Sequence, residues 1–406
     1  MPHAVLVVLS VASCIVMATD SDAVPAPTVR IVTIEGEQQT GTWRGADEAS
    51  IEIQRDGVTT RVPRDDLMLV TFDNESTTSR PVMLGPREAV CTLADDSVIR
   101  GELLESGEGA VQIRTALLGL LTLRFSQLRA IRLGAVADQS EAQAEYERWL
   151  DRGSAGNDVL IAVRDERVTA VRGALVAIGP DEGRFTFQDK TLPIRAGTVY
   201  AVVFGAALAT GSPSAATVVL RDGTRLASTT AGADAQTIQL RREGKAFATV
   251  PITSIEHIAF HSPRVTFASD MPNVGTHFEP FLRTPWPIRR DRSVSNGPIR
   301  LGGVTYDKGF GVHSRSELTF DLDETYTRFA AVIGIDDAVR PRGNVVFRVF
   351  ADDRTAYDSG PVTGTDAPKP ILVDIGGARR VRLVVEYGDE LDLADHADWG
   401  NARFIR

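Results

Sequence analysis

The chain has 406 residues, with 44 basic against 54 acidic side chains for a net charge of -10, and is 43% hydrophobic and 24% charged. That length leaves room for about two to four domains, and the composition excludes a disordered chain. An acidic balance without a basic stripe argues against nucleic acid and against anionic membrane surfaces as partners.

At the start, an apolar run from Ala4 to Ala18 precedes Thr19-Asp20-Ser21-Asp22. It predicts an export signal over residues 1–18 with cleavage after Ala18. The run is too short for a membrane span. Only His3 precedes it as a basic group, and Val11-Ala12-Ser13-Cys14 also resembles a lipoprotein box. The expected location is therefore secreted, periplasmic or cell envelope. Once the signal is removed, Cys91 is left without a disulfide partner. In the apolar setting Ala89–Leu93 it is expected to be a small buried hydrophobe, not a zinc ligand or nucleophile.

One pattern then recurs in four β repeats, at 27–73, 87–134, 157–205 and 215–261. The first has Val29–Ile34, Ile51–Ile53, Asp56-Gly57, Val62-Pro63, Leu67 and Phe72. The fourth has Val218–Leu220, Asp222-Gly223, Ile238–Leu240, Val250-Pro251, Ile255 and Phe260. Alternation at period two marks half-buried strands, and Asp-Gly between apolar runs favours a primed hairpin. A lone sheet of this size cannot cover both of its faces, so small SH3-like or Sm-like β-barrels associating in pairs are expected. Between the second and third repeats, Ala and Glu content with Tyr146, Trp149 and Leu150 at helical spacing predicts one linking helix over 138–151. Trp149 should anchor that helix on a barrel. His257 and His261 lie in a strand-and-turn setting where their spacing does not converge on a metal. No phosphate loop or nucleophile elbow occurs in the repeats, which are expected to be scaffold or protein-contact modules. Residues 262–298, with Thr284-Pro285-Trp286-Pro287-Ile288, are expected to be an extended Pro-rich linker.

Residues 299–406 predict short strands, among them Glu317–Leu322, Phe329–Ile335, Val345–Phe350 and Val381–Val385, and hence a β-sandwich. The segment also carries Tyr306-x-x-Gly309-x-Gly311-x-His313, Gly334-Ile335-Asp336-Asp337, Gly343-Asn344, Asp358-Ser359-Gly360 and Asp395-His396-Ala397-Asp398-Trp399. In order and spacing this set resembles the NPCBM family of carbohydrate-binding modules, over about a quarter of the chain. The resemblance implies a galactose-binding-like jelly roll and a glycan partner. A pyranose needs an aromatic ring for its apolar face and planar polar groups for its hydroxyls. The candidate contacts are Tyr306, His313, Asp336, Asp337, His396, Asp398 and Trp399, with Trp399 or Tyr306 as the platform. Other roles stay open at this point. Trp399 opens the last strand and suits a core, and His313 suits a buried histidine bonded to Asp398. Asp336 and Asp337 suit a turn cap, or structural calcium. No other cofactor or metal is expected.

The fold class expected is all-β: repeated small barrels, one short linking helix and a C-terminal jelly roll. The function expected is that of a secreted, non-catalytic carbohydrate-binding protein recognising a glycan or polysaccharide. The alternative is a structural or protein-binding cell-envelope protein, with self-association through the repeats and a sandwich that has lost its sugar. A glycosidase would need a pair of carboxylates on a separate catalytic domain, which the repeats do not offer.

Overall fold

A computed structural model describes residues 26–73, 84–105, 107–136, 140–153, 156–205, 214–228, 230–242, 245–279, 286–322, 325–388 and 393–406. The expected export signal lies outside them. Among the described residues the chain is nearly all β, with one α-helix, and it divides into two compact units. One comprises residues up to Ile31, Thr40–Arg64 and Leu69–His261; the other comprises Val32–Gln39, Asp65–Met68 and Ser262–Arg406. Among the described residues no helix is long and apolar enough to cross a membrane.

The first repeat supplies strands Thr28–Thr33, Gln38–Ala46, Ser50–Arg55, Val58–Pro63 and Leu67–Asp73, with a 3-10 turn at Arg64–Asp66 before the fifth. The first strand pairs with the second and the fifth, the second with the third, and the third with the fourth. That order returns in the other three repeats, except that the second strand of the last is split into Arg225–Ser228 and Thr230–Ala233. Asp56 and Gly57 both have positive φ, as the Asp-Gly hairpin requires. Among the described residues the fourth strand of each repeat pairs with the third alone, so each is an open run. Long second strands turn the corner: Arg167–Ile178 pairs with Asp158–Arg164 through its first half and with Glu182–Phe187 through its second. This encloses an apolar interior, which in the first repeat includes Trp43, Ile51, Ile53, Val70 and Phe72.

The fifth strands join repeats edge to edge. Leu67–Asp73 pairs antiparallel with Ile255–Phe260, and Leu128–Leu133 with Val199–Val203. In both pairs the fourth residues of the two strands face each other, Val70 opposite Ile258 and Ile131 opposite Val202. Both joints are therefore self-complementary about one local two-fold, the isologous geometry of a symmetric dimer. First repeat joins fourth, and second joins third. The helix Ser140–Arg152 packs beside the second of these joints, with Tyr146 against Tyr200. Trp149 is half-buried against that cluster, under the guanidinium of Arg172.

In the other unit two sheets enclose one core. The first orders Arg289–Arg290, Gly309–His313, His396–Ile405, Arg328–Ile335 and Lys369–Asp374, with Val265–Phe267 also paired to His396–Ile405. The second orders Gly275–Phe278, Ser316–Asp321, Arg380–Tyr387, Asn344–Ala351 and Arg354–Thr363. Phe310, Phe329, Trp399 and Phe404 from one sheet meet Phe320, Phe347 and Val385 from the other. Residues 262–298 are therefore no free linker: three of their segments are strands of the sandwich. Proline keeps these strands to two, three and four residues, too short to show a period in sequence. The last strand also carries Arg403, whose Nε donates to the Ile34 carbonyl at 2.7 Å within the same unit. Burial pulls this guanidinium down to about 10.

Candidate functional site

Three adjacent strands of the six-stranded sheet decide where the chemistry lies. Gly309–His313 and Arg328–Ile335 both pair with His396–Ile405, so His313 stands opposite His396, and Gly311 and Gly334 flank Asp398 on either side. Side chains alternate across a strand. Phe310, Val312, Ala397, Trp399, Ile333 and Ile335 therefore point into the core, and His313, His396 and Asp398 lie on the opposite face. Asp336 closes the row, its N–H donating to the His396 carbonyl at 2.9 Å.

On that outer face the imidazoles meet an indole. Trp286 stacks flat on His313, with ring centroids 5.2 Å apart and planes at 3°. It stands edge-on to His396 at 4.9 Å, and Phe278 approaches His313 edge-on at 6.4 Å. His396 Nδ1 lies 3.1 Å from the exposed Ser295 hydroxyl. Trp286, Phe278 and His396 are half-buried, whereas His313, Asp336 and Asp398 are closed off from solvent. The cluster thus has an accessible layer, Trp286, His396 and Ser295, above a sealed one. Burial holds the His396 imidazole below its ordinary range; Asp336 opposes that shift and Arg342 adds to it. Burial, then the hydrogen bond to Asp336, pushes the Asp398 carboxyl well above the usual carboxylate range.

The expected contacts divide accordingly. His313, His396, Asp336 and Asp398 are brought together. Trp399 is not: it is fully buried on the other face, packed on Phe329 and Phe347, so its ring is core and no sugar platform. One residue of offset from Asp398 is enough to send it there. Asp337 is spent on the backbone, its carboxylate oxygens accepting from Gly302 at 2.8 Å and Gly303 at 2.7 Å. It caps that hairpin, with the Arg340 guanidinium 3.7 Å from one of the same oxygens. Among the described residues no group of three or more His, Cys, Asp or Glu has a metal-holding arrangement. Tyr306 lies over Gly400, where an added Cβ would meet its ring at 3.0 Å, at the far end of the paired strands from His396. Its phenol is pushed up by burial and by Asp337.

The Tyr306–His313 motif is largely framework. Lys308 reaches Asp270 at 2.5 Å and Asp291 at 3.2 Å, and Asp291 also accepts from the Gly309 N–H. These contacts draw the segments around 270 and 291 onto the strand. Gly309 has φ +142, and a Cβ there would lie 2.1 Å from the Trp399 carbonyl; at Gly311 one would lie 2.4 Å from the Arg292 carbonyl. Both positions must lack a side chain for the arm to pass over the sheet. That arm delivers Trp286, which the sequence presents only as an aromatic between two prolines.

A family model described as NPCBM/NEW2 domain matches residues 266–405, which takes in Trp286 and the whole row. Those residues are an NPCBM/NEW2 domain. A Renibacterium salmoninarum protein provisionally named endo-alpha-N-acetylgalactosaminidase is 36% identical over 149 residues, 34% of this chain and 9% of that protein. Alpha-1,3-galactosidase B of Akkermansia muciniphila is 32% identical over 115 residues, 27% of this chain and 14% of that enzyme. The chain thus spans a small fraction of both relatives. Among solved structures, the CBM51 of a Clostridium perfringens GH95 protein in complex with methyl-galactose is 28% identical, with 34% of this chain and 99% of that one covered and a TM-score of 0.32. The CBM51-2 and INT domains of Clostridium perfringens ZmpB are 26% identical, covering 42% and 36%, with a TM-score of 0.33.

Proposed function

We propose that this chain is an exported, non-catalytic glycan binder whose NPCBM/NEW2 domain takes a saccharide at Trp286 and His396, with the repeats as the scaffold presenting it. The observation that carries this is the Trp286 ring, stacked at 3° on His313 on the outer face of the sheet instead of joining the core. A planar ring fixed from behind loses little entropy on binding and offers apolar surface to the C–H face of a pyranose. His396 and Ser295 beside it supply donors and acceptors for ring hydroxyls. The names of the two relatives favour galactose or N-acetylgalactosamine residues as the first sugars to try. A site this shallow binds weakly as a single copy, and retention on a polysaccharide would come from several copies together. The apolar leader expected at residues 1–18 would carry the binder out of the cytoplasm.

The test is a glycan array followed by calorimetry on wild type and Trp286→Ala. Micromolar-to-millimolar binding by wild type, lost in the variant with the melting temperature unchanged, is the expected result. Equal binding by the two proteins, or none above background by wild type, would overturn the proposal. Release of reducing sugar from the same glycans would overturn the non-catalytic part alone.

A further inference from the structure

We propose that Asp398 and Asp336 are a proton-sharing pair that positions His396, so that the outer-face site keeps its geometry only while one proton stays between the two carboxyls. The inference rests on the saccharide reading above, but the proton is measurable without a sugar.

Asp398 is completely buried, and among the described residues neither of its oxygens receives an N–H. Asp336 is nearly as buried: one oxygen accepts the Ala338 N–H at 2.8 Å, and the other has no such donor. No Lys, Arg or His nitrogen of the described residues hydrogen-bonds either Asp398 oxygen. Asp336 follows the strand paired with Asp398's own, and three of the four oxygens of these two buried carboxyls lack a donor; two such groups cannot both stay charged, and a shared proton is the remaining compensation.

The register links that proton to the site. Asp398 lies two residues from His396 on the same face, and Asp336 donates its own N–H to the His396 carbonyl. Leu301 and Pro368 crowd Gly334 on one side of Asp398, and the backbone of Arg292 and Ser293 crowds Gly311 on the other. Neither carboxyl can withdraw without shifting the strand end that holds His396. The ionisable groups around the pair are His313 from the neighbouring strand, His396 from its own, and Asp337 from the turn. Arg340 stands 3.7 Å from Asp337, the Tyr306 phenol lies near Asp337, and Arg342 acts on His396. The raised proton affinity of Asp398 agrees with this arrangement.

The experiment is a carboxyl and imidazole NMR titration of the sugar-free full chain from acid to alkaline pH. One aspartate carboxyl should titrate above the ordinary range, and the His396 ring signals should move through the same transition. Asp398→Asn, whose amide N–H still donates to Asp336, should remove both changes and keep Trp286 stacked; Asp336→Asn serves as the second variant if the first does not fold. Any glycan bound by wild type should lose about tenfold in affinity across the transition and keep it in the variant, a shift of about 1.4 kcal/mol. Ordinary titration of every aspartate, or His396 signals blind to the transition, would overturn the proposal. If the transition is seen and no glycan binds, the pair stands and the saccharide reading falls. Glycan affinity that stays level through the transition would sink the positioning role.

Discussion

The repeat unit and the sandwich use the same strand geometry to opposite ends. In the repeats the fifth strands meet twice in one register, fourth residue to fourth residue, and the central facing pairs, Val70 with Ile258 and Ile131 with Val202, are aliphatic. In the sandwich one sheet face breaks that rule. His313, His396, Asp336 and Asp398 occupy positions where alternation on a covered sheet would call for apolar side chains, and glycines stand beside Asp398 instead of packing residues. Local consistency marks scaffold, and its local failure marks the place where something other than stability was selected.

Trp399 and Trp286 give the sharpest separation of the two roles, and the largest effect. Trp399→Ala should cost the sandwich about 3–5 kcal/mol, as large core truncations do, read by denaturant unfolding. Trp399→Phe should cost far less, because the buried indole N–H has no acceptor among the described residues and its loss leaves nothing unpaired. Trp286→Ala should leave that unfolding curve in place and remove glycan binding. If Trp286→Ala unfolds the domain as Trp399→Ala does, the two faces are not functionally distinct.

A charge at the centre of a repeat joint comes next. Ile131→Asp buries an unpaired carboxylate opposite Val202, and Val70→Asp does the same opposite Ile258. Each should destabilise the repeat unit by about 3 kcal/mol or more. Calorimetry should then show an early transition for the repeats, with the sandwich transition and its glycan binding unchanged. Equal damage to both transitions would mean that the units do not melt independently.

How much of this was legible in sequence follows from which contacts are local. Strand alternation, the Asp56-Gly57 hairpin and the helix around Tyr146 are short-range and stand in the chain as read. The parity of Asp398 and Trp399 was also legible: neighbours in a strand cannot share a face, so the grouping of both in one site contradicted the period itself. The pairing of Asp336 with Asp398 was not, because it depends on the offset between two strands that a single sequence does not encode visibly. Trp286 was hidden differently. The strands on either side of it are two to four residues long and lie between prolines, so 262–298 carries the composition of a linker while it forms sheet edges. An aromatic held between two prolines was the one available sign, since a stiff backbone spends little entropy in presenting a ring.

A smaller effect tests the sealed layer through stability. Asp398 holds its proton more tightly folded than unfolded, so its contribution is full below the ordinary carboxylate value and declines as pH rises through the raised folded value. The wild-type sandwich should lose stability over that window. Asp398→Asn should flatten the profile and melt higher at its alkaline end, by a few degrees in thermal scans. A variant that tracks wild type at every pH would mean that Asp398 is not the group whose proton is at stake.

The smallest expected change lies in the repeat unit, where burial should make a reactive group silent. The Cys91 thiol is completely buried and pushed up to about 12 by desolvation. Only the thiolate attacks a disulfide reagent, and both the thiolate fraction and access are suppressed here. Cys91 should stay unlabelled by a thiol probe in the native protein and react at once in denaturant. Cys91→Ala should cost no more than about 1–2 kcal/mol, the scale of one small buried group. Comparison with the sandwich gives this modest result its use. Protection of Cys91 reports opening of the repeats, and Trp286 reports the sandwich. Probing both under mild denaturant shows which unit opens first without disturbing either. Labelling of Cys91 under native conditions would mean that the second repeat opens locally, contrary to the closed interior that Ala89, Cys91 and Ile131 share.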